Sequence, residues 1–448
     1  MNEKFELNGY PIKIQSTIEM EESNSKIPIY SGSYLLKNET LELTLEGKFF
    51  FKWSPSLNVY FQGTTKGNTR KLFEIFNSDK DFSILIDGLE VGKGFITAIQ
   101  DNIEGVFRSK AVFGDRTIAV QKISFCVPNL RDFNGDQVVE KINNNISYSN
   151  SRLHFENDDF NIILDKKRNY SDLNKELKHK GGYLIQYNGE LERIDKKSIS
   201  HKDSLEIFQC FSTFLSFLNG RKTSAIFRVG IFDDRKLWKD FTNYTVEPYK
   251  HNHSWPDHSS TTGINEVWKN FSDLWKDHKD FIRSSIHWYL QSCSSSSYVE
   301  TAIIMAQTAL ELIYNWWIIE CKKMIIGKDS ENLSASNKIR LLISQLNITS
   351  DVPIDLKNLD EYVRSEITVN DGPEAIVQIR NAIVHSQMEK RKKLNSLSFE
   401  VRYEALRLSI WYIEISLLKI LGFEGKYNNQ TSQVYDEYVP WSEQNASR

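Results

Sequence analysis

Asn370–Lys393 reads NDGPEAIVQIRNAIVHSQMEKRKK, and the character of the last third of the chain follows from this stretch. Asp371 is placed to cap a helix, and Pro373 falls in the first turn, where a missing N–H costs nothing. At about 100° per residue, Ile376, Ile379, Ile383 and Val384 form one apolar stripe, which predicts a helix over Pro373–Glu389. Arg380 lies inside that stripe. Asn381 and His385, four residues apart, are expected to stack on the adjacent face. Arginine is almost never fully buried without a partner, because an unpaired buried charge is strongly destabilising. Arg380 is therefore expected to meet an acid, a ligand phosphate or a solvent-filled seam between two subunits. Glu311, inside the otherwise apolar run AQTALELIYNWW, is the candidate acid. Lys390, Arg391, Lys392 and Lys393 follow within two turns. They read either as a grip on flanking phosphates or as a solvated helix end whose cations suit the macrodipole.

The same helical period extends to both sides. Helices are predicted over Asn265–Gln291, Tyr298–Lys323, Ser336–Leu346, Leu356–Glu366 and Leu397–Leu421. The last is apolar on more than one face, so it belongs at the centre of a bundle or at a dimer seam. Ala302–Ile319 approaches the length of a membrane span. Its Gln307, Glu311 and Asn315 put one polar group on every turn, which reads as a buried helix with no membrane partner. The Trp316-Trp317 pair reads as packing in the core or at a dimer seam.

Before residue 249 the period changes. Short β-branched and aromatic runs recur at Ile27–Leu36, Leu41–Leu45, Phe49–Trp53, Val59–Gln62, Phe82–Ile86, Val106–Phe113 and Ile118–Val127, with turns at Asp87-Gly88 and Gly114-Asp115. One short helix is expected at Arg70–Asn77. Strands resume at Leu153–Phe155 and Phe160–Leu164. Asn188-Gly189 between Tyr183–Tyr187 and Glu190–Ile194 predicts a hairpin. A helix over Ser204–Leu218 and a strand over Ala225–Ile231 follow. The fold class is multidomain α+β: a β-sandwich or barrel-like N-terminal region with a packed helix, then an all-α bundle. The expected divisions are a β-rich domain over 1–248 with a seam near 131–150, a linker over 249–263, a helical domain over 264–425 and a polar, frayed tail over 426–448.

The 448 residues carry a net charge of −3, so a nucleic-acid role needs a local basic patch rather than a global field. Four cysteines without a CxxC pair indicate neither a zinc ribbon nor a disulfide framework, and free thiols suit a cytoplasmic location. His251, His253, Asp257 and His258 form an HxHxxxDH cluster. It lacks a framing element and reads as linker rather than zinc site, so neither metal nor cofactor is expected. Trp53, Tyr60 and Phe61 read as core or rim packing in the β region, with stacking on a base or sugar as the functional alternative. Gly-rich phosphate loops and serine-triad motifs are absent from the sequence.

Arg380-Asn381-Ala382-Ile383-Val384-His385 resembles the R-x4-6-H motif of HEPN domains, including the Asn that commonly follows the Arg. The helical setting agrees over roughly Asn265–Phe423. The order of a β-rich region before the helices, with SGSYLLKNETLELTLEGKFFFKWSPSL near the start, resembles ApeA-type anti-phage proteins. The resemblance implies a cytoplasmic, metal-independent RNA endonuclease of an abortive-infection system. Arg380, His385 and Asn381 would be its catalytic residues, Glu311 a supporting acid and Lys390–Lys393 RNA contacts. It implies a homodimer or higher homo-oligomer, cellular RNA such as tRNA as substrate, and a phage-encoded trigger. The alternative is a non-catalytic HEPN-like dimerisation scaffold joined to a ligand-recognising β domain.

Overall fold

The structure is a computed structural model describing residues 6–445 except 8, 21, 40, 66–80, 143–144, 243, 258–260, 262, 295–297, 386–387 and 433–436. The helix expected at Arg70–Asn77 lies outside the described residues. The chain divides into two compact units, one of residues 1–212 and 223–251 and the other of residues 213–222 and 252–448. The first is rich in sheet and the second is helical, so the chain is a multidomain α+β protein.

In the first unit the strands are β1 (Glu6–Leu7), β2 (Tyr10–Pro11), β3 (Ile27–Lys37), β4 (Glu42–Lys52), β5 (Asn58–Thr64), β6 (Phe82–Ile86), β7 (Leu89–Ile99), β8 (Ile103–Gly114), β9 (Lys122–Pro128), β10 (Asp136–Ile142), β11 (Asn145–Glu156), β12 (Phe160–Lys166), β13 (Ile185–Arg193), β14 (Ile226–Phe232) and β15 (Arg235–Asp240). Strands β8, β5, β4, β3, β6 and β7 pair in that order, and β7 pairs back onto β8, closing a six-stranded antiparallel barrel. Closure removes the unpaired edges an open sheet would present. Alternate residues point inward, and Tyr34, Phe49, Phe61 and Phe107 fill the interior, the Tyr34 and Phe49 rings edge to face at 4.6 Å. The β6–β7 connection is the expected Asp87-Gly88 turn, both residues at positive φ (49° and 81°), as a type I′ hairpin requires.

The sheet continues from β8 through β15, β14, β9, β13, β12 and β11 to β10. The hairpin expected at Asn188-Gly189 is not formed: β13 runs straight through both residues, paired with β9 and β12. The glycine serves packing instead. A Cβ there would lie 2.3 Å from the Phe125 ring, and Phe125 packs edge to face on Phe208 of the His201–Asn219 helix. The seam expected at 131–150 is likewise bridged, because β10 and β11 form a long antiparallel ladder through it. The start of β11, Asn145 to Tyr148, is exposed, so the polar Asn145 and Ser147 report the surface and not a break.

Where the sheet meets the start of the His201–Asn219 helix, a buried carboxylate gathers its neighbours. Asp240 Oδ2 lies 3.0 Å from His201 Nε2 and 2.8 Å from Arg228 Nη2, and its Oδ1 accepts from the Thr242 N–H at 2.8 Å. Burial pushes the Asp240 carboxyl up, but Arg228, His201 and Thr242 outweigh it and leave it at about 2. A carboxylate whose folded value is depressed stabilises above its ordinary value and loses that contribution as pH falls through the folded one. About 2 kcal/mol should therefore disappear between roughly pH 4 and pH 2. In urea titrations at neutral pH, Asp240→Asn should cost about 3–5 kcal/mol, since it strands Arg228. The gap to the native chain should narrow on acidification; a gap constant with pH would contradict this assignment.

Candidate functional site

The second unit is built from helices over Ile264–Ser294, Val299–Tyr314, Lys328–Asn332, Ala335–Ile343, Lys357–Ser365, Gly372–Val384, Met388–Ser396 and Phe399–Ile420. A π-helical turn, Asn315–Cys321, continues the second of these, and Val299–Cys321 together is long and apolar enough to cross a membrane. Its most apolar window is 61% buried within the fold, as expected of a core helix. Trp316 is buried and stacks on Phe281 with ring centroids 3.9 Å apart. The Phe399–Ile420 helix is buried on nearly all faces. It carries two buried carboxylates held by neutral donors: Glu404 accepts from Asn358 Nδ2 and the Leu359 N–H, and Glu414 from Tyr289 Oη and Gln430 Nε2.

Two expectations about this unit's ends are corrected. Ser254 and Trp255, in the segment expected as a linker, are buried, with Trp255 against Phe217 and Phe423. Part of the expected frayed tail is also packed: Tyr427 Oη accepts from Trp411 Nε1, and Trp441 Nε1 donates to the Phe423 carbonyl. In both places a few aromatic anchors outweigh the polar composition around them. His258 lies outside the described residues, and among those described no group of three His, Cys, Asp or Glu is arranged to hold a metal.

The Gly372–Val384 helix carries the motif. Asp371 caps it as expected, accepting from the Glu374 N–H at 2.9 Å, and Pro373 occupies the first turn. Ala375, Ile376, Ile379 and Ala382 are buried and fix which face points inward. The helix ends at Val384 rather than at Glu389. His385 is its C-terminal cap in an extended conformation (φ −92°, ψ 90°), its N–H donating to the Asn381 carbonyl at 3.0 Å. So His385 does not stack over Asn381 on a helix face. It is exposed at the end of the helix, beside the exposed Val384.

Arg380 is only half-buried, and its surroundings are unusual. Nη1 donates to Asn381 Oδ1 at 3.1 Å, and Nε is buried without a hydrogen-bond partner. Among the described residues no carboxylate pairs with it. The guanidinium is oriented by a neutral amide while its charge stays uncompensated, a state suited to receiving an anion. Lys392 is exposed on the Met388–Ser396 helix; the side chains of Lys390, Arg391 and Lys393 lie outside the described residues.

Glu311 is not that missing acid. It is exposed and forms an ion pair with Lys338, Oε1 to Nζ 2.8 Å, on the rim of a small cleft lined by Gln307, Leu310, Ala335 and Ile339. Its turn of an apolar helix faces solvent, so the burial cost that suggested a partner in Arg380 does not arise. An ion that the sequence did not single out, Arg340 of the Ala335–Ile343 helix, makes the strongest pairing here. Its Nε and Nη2 reach Asp371 Oδ2 and Oδ1 at 2.6 and 2.8 Å, Nη2 also reaches Glu374 Oε2 at 2.8 Å, and Nη1 donates to Asn337 Oδ1. Burial would raise the Asp371 carboxyl, but the Arg340 fork and the Glu374 N–H hold it below its ordinary value. The legible signal was Asp371 followed at three residues by Glu374, two acids on one helix turn that invite a cation. Because the Lys338 pair is exposed on one side, Glu311→Gln should shift stability by less than about 1 kcal/mol. A larger loss in thermal unfolding would mean that Glu311 has a buried role.

Residues 275–440 match the family described as the YopA C-terminal domain, and residues 115–252 match the YopA central domain. No solved structure matches the chain. It is similar along nearly its whole length to the SPbeta prophage-derived uncharacterized protein YopA of Bacillus subtilis (strain 168), at 26% identity over 453 residues, 96% of this chain and 98% of the relative.

Proposed function

We propose that the chain is a HEPN-type RNA endonuclease that cuts without a metal and works as a homodimer. The observation that carries this reading is the uncompensated guanidinium of Arg380, oriented by Asn381, five residues before the exposed imidazole of His385. Arg380 would grip two non-bridging phosphate oxygens and take up the charge that builds on them. His385 would accept the proton of a ribose 2′-hydroxyl, imidazole being suited to proton transfer near neutral pH. The 2′-oxygen then bonds to phosphorus, the bond to the 5′-oxygen breaks, and a second imidazole from a second copy protonates the leaving oxygen. The products are a 2′,3′-cyclic phosphate and a 5′-hydroxyl end.

Exposed apolar side chains support a second copy here. Val384 and Met388 flank His385 and are exposed, as are Phe399 and Tyr403, whose rings stack at the start of the next helix. Exposed apolar groups beside a charged motif support association rather than a bare surface. The setting is abortive infection in the cytoplasm: a phage-encoded trigger releases the nuclease onto cellular RNA, tRNA included, with the sheet-rich unit as sensor. The 26% identical relative is prophage-derived, which suits a gene that guards a lysogen against other phages.

The test is cleavage of end-labelled RNA in EDTA by the native chain, Arg380→Ala and His385→Ala, alone and with lysate of phage-infected cells. Each substitution should lower the rate by about 100-fold or more. Melting temperatures should change little for His385→Ala, since the side chain is exposed. Equal cleavage by the native chain and His385→Ala would overturn the assignment. Intact dimers with no cleavage by any of the three would favour a non-catalytic scaffold, with ligand recognition in the sheet-rich unit.

A further inference from the structure

The helix that carries Arg380 and His385 is held at its far end by a second, shorter helix. Ala335–Ile343 is capped by Ser334, whose Oγ accepts from the Asn337 N–H, and buries Ile339, Leu342 and Ile343. Its remaining faces carry two cations directed at two different neighbours. Lys338 reaches Glu311 on the Val299–Tyr314 helix, and Arg340 reaches Asp371 and Glu374 at the head of the motif helix. Short as it is, this helix brackets two longer ones.

We propose that Arg340 is a positioning residue for the motif helix, setting the rotation at which Arg380 and His385 are presented. The inference rests on the nuclease reading for its consequence in activity but not for its geometry. An apolar face alone defines a helix's rotation loosely, because burial of side chains such as Ile376 and Ile379 is favourable without being directional. A planar fork does not. The Arg340 guanidinium makes two parallel bonds to one carboxylate and a third to another, three residues on, so both acids of the first turn are fixed in direction as well as distance. The fork is itself steadied by Asn337 Oδ1 on Nη1 at 2.6 Å. Asp371 is nearly buried, and its backbone neighbour is tied as well, the Gly372 N–H donating to the Ser350 carbonyl at 2.9 Å.

A roll of a few tens of degrees at this end carries along the hydrogen-bonded helix to Arg380, whose guanidinium must meet a phosphate to within a fraction of an ångström. A point charge cannot substitute for the fork. Lysine at 340 would keep the charge but could not satisfy Asp371 bidentately and Glu374 together.

Amide hydrogen exchange on the full-length protein, with Arg340→Met and Arg340→Lys, tests this without any assumption about activity. Exchange of the amides from Ala375 to Val384 should quicken by about 10- to 100-fold in Arg340→Met and by an intermediate factor in Arg340→Lys. Amides of the Phe399–Ile420 helix should keep their native protection in both, which separates local release from failure to fold. Unchanged protection of the motif helix would overturn the proposal, and so would a uniform loss across the unit. Cleavage assays add the second arm: Arg340→Met should lower kcat/KM by at least about 10-fold, with KM raised as the misplaced Arg380 grips the phosphate less well, and Arg340→Lys should not restore it. A native kcat/KM in a variant whose motif helix exchanges fast would overturn positioning. A native chain that cuts no RNA would count against the nuclease reading alone, since the exchange arm judges the fork.

Discussion

One cation, the guanidinium of Arg380, has no carboxylate partner among the described residues, and the proposed chemistry depends on it. Arg380 sits at the edge of its helix's buried face, one turn from the buried Ile376, and the fold supplies it with an amide acceptor but, among the described residues, with no carboxylate. Elsewhere in the molecule three buried carboxylates are matched by cations. Asp240 is met by Arg228 and His201, Asp165 by a bidentate Arg152, and Asp371 by Arg340. Against that background the half-buried guanidinium, whose Nε has no hydrogen-bond partner, is the feature that supports the proposed phosphate contact.

The architecture around that site is a set of constraints on one helix. Asp371 and Pro373 start it, Ile376, Ile379 and Ala382 choose its inward face, and Arg340 grips its first turn. The helix stops at Val384, leaving His385 extended and exposed while its N–H still closes onto Asn381. The general base of the proposed reaction would gain from that placement. Inside the helix the imidazole would lie against a neighbouring turn, whereas at the cap it can approach a substrate from solvent.

Much of this was legible in the residues and some was not, for reasons that can be named. The change from strand to helix period and the capping of the motif helix follow from local rules, and so does the Asp87-Gly88 turn, where positive φ is a property of two residues alone. Asn188-Gly189 carries the same local signal but lies within β13, because packing on Phe125 decides there and packing is not local. Burial was the other blind spot. Glu311 stands in an apolar run yet faces solvent, whereas Trp255 and Tyr427 stand in polar runs yet are buried. Window composition averages over the two sides of an element, and a charge or ring on the minority side is misread. Arg340 was missed because its two acidic partners lie more than thirty residues away in the chain.

The proposed nuclease activity requires that Arg380 receive a phosphodiester. The most direct measurement is the affinity of the native chain and Arg380→Gln for an oligoribonucleotide made uncleavable by 2′-O-methyl groups, followed by fluorescence anisotropy across a range of salt. The native chain should bind at least about 10-fold more tightly, with the steeper salt dependence that one more phosphate contact brings. Equal affinities with equal slopes would mean that the guanidinium meets no phosphate, and that the helical unit does something other than cut RNA.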